Sequence, residues 1–564
     1  MSNRRILLGD EAVAFAAVHA GIRAAYSYPG TPATEIFETI QKIGRDFNVR
    51  AKWSANEKTA YEEALGHSYA GSRTLVSMKH VGLNVAADPY MSSAITGANG
   101  GLVLAVADDP GMHSSQNEQD SRILADFAMM PCLEPWDQQT AYDWTREAFE
   151  ISEELQIPVT LRLVTRLSHS RSNVNITDPA KPEQKPACNN WRDWVLVPAN
   201  ARPNYEKLVA KQPAILERLS QGPFFQYDTE GDTSIGIIAC GLARNYVMEA
   251  LQKHNLKHPV LCIGAYPIPD ELLSDIMDRC DKVLVVEDGY PWLERRLRAS
   301  LALIKKDNFL GRMSGELPRT GEMTPDAVAT ALGVAPPEPK MEDLPLAARP
   351  PRLCDGCSHI DVFSALAEVI REYPEGRIFG DIGCYTLGAL PPYNSMASCV
   401  DMGASIGMAL GAADAGLHPA VAVIGDSTFT HSGMTGLLDV ISADANVTVV
   451  ISDNAYVAMT GGQPDLATGE GLTKIAEGMG ANPEHTHFVD LKKTKPEELK
   501  DLFRRELNHR GASFLVCKRE CLQAFSRDKK QKAKEAAKAK EKGESSPPEV
   551  KTVAKQPTGT TTVK

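Results

Sequence analysis

Short apolar runs alternate with helical patterns along most of this chain. In the first third, the runs that read as strands are Leu75–Met78, Leu102–Ala107 and Ile157–Val164. Gly/Pro breaks at Tyr28–Pro32 and Asp108–Gly111 separate them from the helical segments. Strands that alternate with helices are typical of a parallel α/β sheet. We therefore expect residues 1–175 to form one α/β domain.

The same alternation returns twice. Apolar runs at Thr233–Cys240, Val260–Ile263 and Lys282–Glu287 predict a small α/β domain over residues 233–304. A third α/β domain is expected over residues 351–523. The intervening stretches, rich in Pro, Asn, Lys or Gly, are predicted to be a connecting segment (176–232) and a linker (305–350). Residues 524–564 are a Lys/Ala/Glu-rich tail that lacks a large apolar face, and we expect it to be disordered.

Composition narrows the class of protein. Of 564 residues, 43% are hydrophobic and 23% charged, as in ordinary globular proteins. The net charge of −12 argues against nucleic acid as the main partner. No run of 18 apolar residues is present, so no membrane span is predicted. The apolar patch Ile6–Leu8 is too short for a secretory signal, and a cytoplasmic location is therefore expected.

Polar residues follow two apolar runs in the third domain. Ala420–Ile424 ends at Gly425-Asp426-Ser427, and Val447–Ile451 ends at Ser452-Asp453-Asn454. The twenty-five residues between Ser427 and Asp453 suffice for a helix (about His431–Ser442) and the second strand. A β-helix-β crossover brings both strand ends to one sheet edge, where Asp and Asn oxygens suit phosphate-bound Mg²⁺. Ordinary turns at strand ends use the same residue types, so that alternative stays open.

This arrangement resembles the Mg²⁺ and diphosphate motif of thiamine diphosphate (TPP) enzymes. Ser427 stands in place of the motif's second Gly, and Asp453 in place of its first Asn. The resemblance implies that the cofactor contacts include Gly425, Asp426, Ser427, Thr428 and Asn454.

A second motif lies in the first domain. Ser54-Ala55-Asn56-Glu57 opens a predicted helix, and the Ser-x-x-Glu spacing is that of a capping box in which Glu57 folds back on the Ser54 amide. The wider segment, Glu57–Gly71, resembles the one that carries the activating glutamate of oxidoreductases acting on 2-oxo acids.

Five longer segments resemble the alpha subunit of indolepyruvate ferredoxin oxidoreductase, in the same order along the chain. They are YPGTP (Tyr28–Pro32), KHVGLNVAADP (Lys79–Pro89), GDIGCYTLGALPP (Gly380–Pro392), MGASIG (Met402–Gly407) and AMTGGQP (Ala458–Pro464). The resemblance covers residues 4–523 and is weakest at 172–232. It implies three transketolase-like α/β domains. It also implies oxidative decarboxylation of arylpyruvates to acyl-CoA, with electrons passing through iron–sulfur centres to ferredoxin.

The resemblance assigns roles residue by residue. Glu57 would activate the aminopyrimidine ring of TPP, while Asp426, Asn454 and the Tyr456 carbonyl would hold Mg²⁺. Further cofactor contacts are implied at Met402, Gly403, Cys384 and Tyr385. Thr31 and His80 would meet the substrate, although a turn or helix-cap role for Thr31 and a structural role for His80 remain open.

The eleven cysteines fall into two groups. Six isolated cysteines are expected to be small buried side chains: Cys132, Cys188, Cys240, Cys262, Cys280 and Cys399. The other five, Cys354, Cys357, Cys384, Cys517 and Cys521, cluster near the proposed TPP motif. The resemblance implies that Cys354, Cys357, Cys384 and Cys521 hold one 4Fe–4S cluster. Zinc at the same four residues, plain thiols, or Cys517 as the fourth ligand are the alternatives.

The chain departs from the family pattern in two places. No ferredoxin-like run of cysteines follows Cys521, and Gly462 stands where many relatives carry His. We therefore expect a separate ferredoxin-like or flavin subunit to accept the electrons. The family also implies a smaller beta subunit, aromatic 2-oxo acid and CoA as substrates, and a hetero-oligomer with two copies of this chain. A non-oxidative TPP-dependent decarboxylase and a catalytically silent scaffold are the competing functions.

Overall fold

The computed structural model describes residues 4–186, 194–301, 309–335, 352–527 and 529–530. The chain divides into two compact units. The first contains residues 1–350 and the short piece Thr430–Ser432, and the second contains residues 351–429 and 433–564.

Two mainly parallel sheets, each with one antiparallel edge pair, dominate the first unit. Seven strands form one sheet in the order β12-β6-β7-β5-β4-β2-β3, and five form another in the order β14-β13-β10-β11-β9. A short antiparallel pair, β1-β8, completes the unit. The strands are β1 (Arg4–Leu8), β2 (Ala24–Ser27), β3 (Arg50–Trp53), β4 (Thr74–Lys79), β5 (Leu102–Asp108), β6 (Cys132–Leu133), β7 (Val159–Val164), β8 (Arg171–Asn175), β9 (Phe225–Asp228), β10 (Ile235–Cys240), β11 (Val260–Ile263), β12 (Ala265–Tyr266), β13 (Lys282–Val286) and β14 (Phe309–Leu310).

Helices connect and cover these strands. They are Gly9–His19, Thr34–Ile43, Glu57–Tyr69, His80–Val85, Ala87–Thr96, Ser121–Phe127, Gln138–Leu155, Thr165–His169, Pro198–Ser220, Ala243–His254, Asp270–Arg279, Trp292–Leu301 and Pro325–Ala331, with a 3₁₀ turn at Gly44–Phe47. Every residue of β4, β5 and β7 is buried, as expected for parallel strands covered on both faces. The predicted parallel α/β fold of this part is confirmed.

Buried ion pairs join the two sheets of the first unit. Arg162 on β7 lies 2.7 Å from the Asp108 carboxylate and donates to the Asp288 carbonyl, which follows β13. Arg122 lies 3.0 Å from the Glu287 carboxylate. Both guanidinium groups are fully buried and have further carboxylate partners, Asp120 for Arg122 and Glu134 for Arg162, so the four acidic and two basic side chains form one buried charge network.

The predicted connecting segment contains a long helix. Pro198–Ser220 runs for 23 residues, and its Leu208, Ile215 and Leu219 side chains are buried in the core of the first unit. This helix was not predicted from the sequence, because it contains Pro203 and Pro213 and proline normally interrupts helices. The predicted linker likewise contains β14 and the helix Pro325–Ala331. The predicted domain limits themselves stay predictions.

The second unit is built on one six-stranded, wholly parallel sheet of order β16-β15-β17-β18-β22-β21. Its strands are β15 (Arg377–Gly380), β16 (Met396–Cys399), β17 (Ala420–Gly425), β18 (Val447–Asp453), β21 (Thr486–Asp490) and β22 (Ser513–Lys518), with a small antiparallel pair, β19 (Tyr456–Val457) and β20 (Gln463–Pro464). Its helices are Ser358–Ile370, Ala404–Asp414, Asp426–Thr428, Met434–Ser442, Glu470–Gly478 and Pro496–Asn508, with 3₁₀ turns at Cys384–Ala389 and Pro483–His485.

The crossover predicted between Asp426 and Asn454 is present. β17 and β18 pair in parallel with Gly425 opposite Ser452, so both polar strand ends reach one edge. The helix start was predicted wrongly. Helical structure begins at Asp426, directly after β17, and passes through a wide π turn at Phe429–Gly433.

Within the described ranges, no helix is long and apolar enough to cross a bilayer. The predicted disordered tail falls, from residue 531 onward, outside the described residues. Cys188 also lies outside them.

Candidate active site

Asp426 is the centre of the β17–β18 edge. Its side chain is buried and accepts hydrogen bonds from the amides of Ser427 (3.0 Å), Asn454 (3.1 Å) and Ala455 (2.7 Å). One carboxylate thus ties the two strand ends together. Such a fixed, buried carboxylate is a suitable ligand for a hard cation.

Two more carboxylates lie near Asp426. Burial, followed by Asp465 and Asp453, raises the pKa of Asp426 well above its ordinary value. Burial is also the main cause that raises the pKa of Asp465 to about 7. Like charges held together in a buried place disfavour ionisation, and a bound cation would relieve that repulsion. The edge is therefore electrostatically suited to a divalent cation.

Asn454 is held from both sides. Its side-chain oxygen accepts from the Tyr456 amide at 3.0 Å, and its amide nitrogen lies 3.2 Å from His359 Nε2. His359 Nδ1 in turn lies 2.6 Å from the Ser452 hydroxyl. Burial lowers the pKa of His359 to about 4, so this ring is neutral at pH 7. These contacts fix the orientation of the Asn454 amide.

Asp453 faces another part of the same edge. Its carboxylate accepts from the Ala455 amide and the Thr468 hydroxyl, both at 2.9 Å, and from the Gly469 amide. These bonds anchor the loop that follows β20. Asp453 thus has a positioning role at the place where the motif usually has Asn.

Tyr385, Thr428 and Gly425 pack together. The Tyr385 hydroxyl lies 2.8 Å from the Ile382 carbonyl, to which it donates, and 3.0 Å from Thr428 Oγ1. A Cβ atom at Gly425 would lie 2.5 Å from the Tyr385 ring, so no larger residue fits there. The three residues join the loop after β15 to the end of β17.

Asp381 organises the segment that contains Met402 and Gly403. Its fully buried carboxylate accepts from the amides of Gly403 (2.7 Å) and Ser405 (3.0 Å). Gly403 has φ +99° at the start of the helix Ala404–Asp414, a conformation that favours glycine. Met402 and Gly403 are partly buried.

Four cysteines line one cavity of about 140 Å³ in the second unit. They are Cys354, Cys357, Cys384 and Cys521, and Asn454 lines the same cavity. Burial first, and the three neighbouring cysteines after it, raise the pKa of Cys384 to about 12. The Cys521 amide donates to the Asn454 carbonyl at 2.9 Å, which links the cysteine cavity directly to the β18 edge.

The positions of the sulfur atoms bear on two open alternatives: Cys517 or Cys521 as the fourth ligand, and zinc or an iron–sulfur cluster as the bound group. Cys517 points into the hydrophobic core on β22 and is fully buried, whereas Cys521 lies at the cavity. A tetrahedral zinc site would hold its sulfurs about 3.8 Å apart. Across the described part of the chain, no three of these cysteine sulfurs lie within 4.8 Å of one another. The spacing is larger than zinc requires.

Arg519 braces the Cys354–Cys357 turn. It donates to the carbonyls of Gly356 (3.2 Å) and Cys357 (2.9 Å), and it lies 2.6 Å from the Asp361 carboxylate. A guanidinium group with these partners fixes the turn and places positive charge beside the sulfurs.

Glu57, in the first unit, is not a capping-box residue. Asn56 caps the helix Glu57–Tyr69 by accepting from the Thr59 amide, and the Ser54 amide donates to the Ser27 carbonyl. The buried Glu57 carboxylate instead lies 2.7 Å from Nε2 of His431, which belongs to the same unit. The capping interpretation is thus wrong, and the catalytic role of Glu57 stays a prediction.

Thr31 and His80 lie at other places in the first unit. Thr31 is partly buried in the Tyr28–Pro32 turn, and its carbonyl accepts from the Ser114 hydroxyl at 3.4 Å. His80 lines a cavity of about 320 Å³, with Nε2 3.2 Å from the Asn117 carbonyl, while its Nδ1 is buried without a hydrogen bond. The predicted substrate contacts of both residues stay predictions.

Gly82 lies against the Glu57 side chain, and the absence of a side chain at Gly82 leaves room for the Glu57 carboxylate. A Cβ atom there would lie 2.6 Å from Glu57 Cγ. We expect Gly82→Ala to displace the carboxylate and to lower turnover by about 100-fold, since small misplacements of a reacting group cost that much. Gly66→Ala is the matched control, because a Cβ atom there meets open space. Equal activity of the two variants in steady-state assays would show that the Glu57 position does not matter.

Comparison with known proteins agrees with this geometry. Residues 15–200 match the thiamine diphosphate-binding domain of pyruvate flavodoxin/ferredoxin oxidoreductases, and residues 381–517 match the C-terminal TPP-binding domain of thiamine pyrophosphate enzymes. Indolepyruvate oxidoreductase subunit IorA from Archaeoglobus fulgidus is 38% identical, over 94% of this chain and 88% of the relative. The chain belongs to the IorA family. It is a subunit of a TPP-dependent 2-oxo acid:ferredoxin oxidoreductase.

Two further IorA subunits show the same extent of similarity. The subunit from Methanothermobacter thermautotrophicus is 36% identical, over 92% of this chain and 87% of the relative. The one from Pyrococcus abyssi is 37% identical, over 92% and 86%. The resemblance noted in the sequence is therefore confirmed at the level of the IorA family.

Four residues that were not predicted from the sequence contact the candidate site residues of this IorA chain. Asp381 is the second residue of the GDIGCYT segment, His431 lies in Thr428–Gly433, Asp465 follows the AMTGGQP segment, and Arg519 stands two residues before Cys521. Each is a polar residue within or beside a motif that resembles the family. That proximity was the available signal, since none forms a motif of its own.

Proposed function

We propose that this chain is the TPP-binding catalytic subunit of an oxidoreductase for aromatic 2-oxo acids of the indolepyruvate type. The substrate would be oxidatively decarboxylated to an acyl-CoA, and electrons would leave through one 4Fe–4S cluster to a ferredoxin-like acceptor. The observation that carries this proposal is the cavity lined by Cys354, Cys357, Cys384 and Cys521 beside Asn454.

Asp426 and Asn454 would hold Mg²⁺, with the Tyr456 carbonyl as a third protein ligand. The donor set supports this assignment, since two side-chain oxygens and a carbonyl oxygen are what Mg²⁺ prefers. The repulsion among Asp426, Asp453 and Asp465 supports it too, because a cation at this edge would stabilise the ionised carboxylates. Gly425, Ser427 and Thr428 would line the diphosphate side, and Met402, Gly403 and Tyr385 the ring side.

Bound TPP supplies the electron sink through which the bond to the substrate carboxyl group breaks. Glu57 would accept a hydrogen bond from the aminopyrimidine ring and so promote proton transfer there. Its burial strengthens that interaction, because the surrounding dielectric is low. Thr31 and His80 would contact the substrate.

The cysteine cavity distinguishes oxidation from simple decarboxylation. A non-oxidative decarboxylase that releases an aldehyde needs no electron acceptor, and four grouped cysteines would have no use in it. The sulfur spacing, larger than zinc requires, favours a cluster. We further propose a smaller beta subunit and a separate ferredoxin-like or flavin subunit as partners in a hetero-oligomer.

The experiment that tests the function is anaerobic co-purification with the partner subunits, followed by turnover of aromatic 2-oxo acids with CoA and a dye acceptor. We expect acyl-CoA formation with stoichiometric dye reduction, and about four iron atoms per chain. Aldehyde formation without dye reduction, or an iron-free protein that is active, would replace the proposal with the decarboxylase.

Replacing one cluster ligand should separate electron transfer from cofactor binding. We expect Cys384→Ser to lower the iron content to less than about half of the wild-type value, because a cluster needs all four thiolates. Dye reduction should be lost while TPP still binds. Cys399→Ser, at a partly buried cysteine outside the cavity lining, is the control and should keep its iron. Full iron content in Cys384→Ser would remove this ligand assignment.

A further inference from the structure

Three side chains in the first unit form a compact group that the proposed reaction does not use. Asp10, Glu35 and His169 each place one ligand atom within 4.8 Å of the other two. They come from three helices, Gly9–His19, Thr34–Ile43 and Thr165–His169. In the part of the chain that the structure describes, this is the one group of three or more His, Cys, Asp or Glu ligand atoms so close together.

Asp10 has an unusual environment. Its side chain is fully buried, and neither carboxylate oxygen forms a hydrogen bond of good geometry. The Ser168 hydroxyl and the Ile36 amide lie close enough to favour the ionised carboxylate, but burial outweighs them and raises the pKa of Asp10 well above its ordinary value. Glu35 Oε2 likewise forms no hydrogen bond of good geometry. Buried carboxylates are normally paired or bound to metal, so an unsatisfied one points to a missing partner.

The missing partner should be positively charged. Asp10 and Glu35 are both acidic, and the third member, His169, lies with Nε2 3.5 Å from Glu35 Oε2. Glu35 raises the pKa of His169, so an imidazolium there would balance one of the two carboxylates but not both. Two carboxylates and one imidazole nitrogen converge on one point, and a divalent cation there would balance both carboxylates.

We propose that Asp10, Glu35 and His169 bind one divalent transition-metal ion of the Zn²⁺ or Mn²⁺ type. Mg²⁺ and Ca²⁺ prefer oxygen alone, whereas a mixed oxygen and imidazole set suits these ions. The 3.5 Å separation agrees with ligand atoms in one coordination sphere, which lie about 3.4 Å apart at tetrahedral metal–ligand distances near 2.1 Å.

The site is open enough to be filled. The Glu35 and His169 side chains are 38% and 35% exposed, so the group lies next to solvent, from which water could complete the coordination of an ion. The buried Asp10 closes the opposite side.

An ion at this site would stabilise the start of the first unit. A Cβ atom at Gly9 would lie 2.2 Å from the Leu167 carbonyl oxygen, so the first helix already contacts the Thr165–His169 segment closely. Glu35 stands four residues after Thr31. The metal would therefore hold together the three helices and, through Glu35, the Tyr28–Pro32 turn.

Equilibrium dialysis of the full chain against Mn²⁺ alone, without TPP, tests the proposal. We expect the wild type to bind one more equivalent than Glu35→Gln or His169→Gln, or to bind it at least about tenfold more tightly. Mn²⁺ should also raise the Tm of the wild type more than that of either variant. Glu38→Gln, on the same helix as Glu35, is the control and should behave like the wild type.

The variants are chosen so that the result is decisive. Glu35 and His169 are partly exposed, so their replacement should leave the chain folded even if Asp10→Asn does not. Equal Mn²⁺ stoichiometry, affinity and Tm shift in wild type, Glu35→Gln and His169→Gln would overturn the proposal, and a proton shared by Asp10 and Glu35 would then explain the buried pair. None of these readouts depends on iron, on TPP or on turnover.

Discussion

Replacing Glu57 by Gln should leave TPP bound and slow hydrogen–deuterium exchange at the thiazolium C2 by about 10²–10⁴-fold. The carboxylate is buried, does not cap the helix that begins at Glu57, and lies 2.7 Å from His431 Nε2. Gln keeps the shape but loses the charge that promotes proton transfer. Exchange measured by quenched-flow NMR, together with TPP affinity, checks this result.

Glu62→Gln is the control for that experiment. Glu62 lies on the same helix, and its carboxylate pairs with Lys58 at an exposed position. We expect this variant to exchange at the wild-type rate. If Glu57→Gln also did so, Glu57 would be a structural residue and the catalytic assignment would be wrong.

The positions of Asp426 and Asn454 could be predicted because they depend on local rules. Apolar runs of five or six residues ending in polar turns predict buried parallel strands, and the crossover rule then places their ends together. The observed register, with Gly425 opposite Ser452, is the arrangement that this reasoning requires. The grouping of the cysteines was predicted from family resemblance and not from spacing.

The parts that could not be predicted depend on contacts between distant segments. Glu57 and His431 are 374 residues apart, and no local pattern relates them. Asp381 was hidden for a similar reason, since its two partners lie 22 and 24 residues later. The helix Pro198–Ser220 was missed because its two internal prolines give it a low helix propensity. Its buried side chains stabilise it nonetheless.

The charge arrangement in the second unit connects the site's two halves. Burial and neighbouring carboxylates disfavour the ionisation of Asp426 and Asp465, while Arg519 and the helix that follows Cys357 place positive charge and amide dipoles beside the cysteine cavity. The first group suits a cation and the second suits an anionic, thiolate-bound cluster. The backbone hydrogen bond between Cys521 and Asn454 fixes the position of the cysteine cavity relative to the carboxylates at the strand ends.

Replacing Asp426 by Ala should weaken Mg²⁺-dependent TPP binding by at least about 100-fold, because loss of an indirect metal contact alone costs 10–100-fold. The variant removes a proposed ligand and also the acceptor of the Asn454 and Ala455 amides. Isothermal titration with TPP at saturating Mg²⁺ measures the change. In the wild type, affinity should rise as pH increases through about 7, since Mg²⁺ must displace a proton from the Asp426–Asp465 pair, whose pKa values are raised.

Asp439→Ala provides the matched control, because Asp439 lies on the helix Met434–Ser442 that follows the same strand and is exposed. It should bind TPP as the wild type does. Thermal unfolding of both variants separates loss of the metal ligand from loss of the fold. Wild-type affinity in a folded Asp426→Ala chain would mean that the diphosphate is held without this carboxylate, and the repulsion among the three acids would then need another explanation.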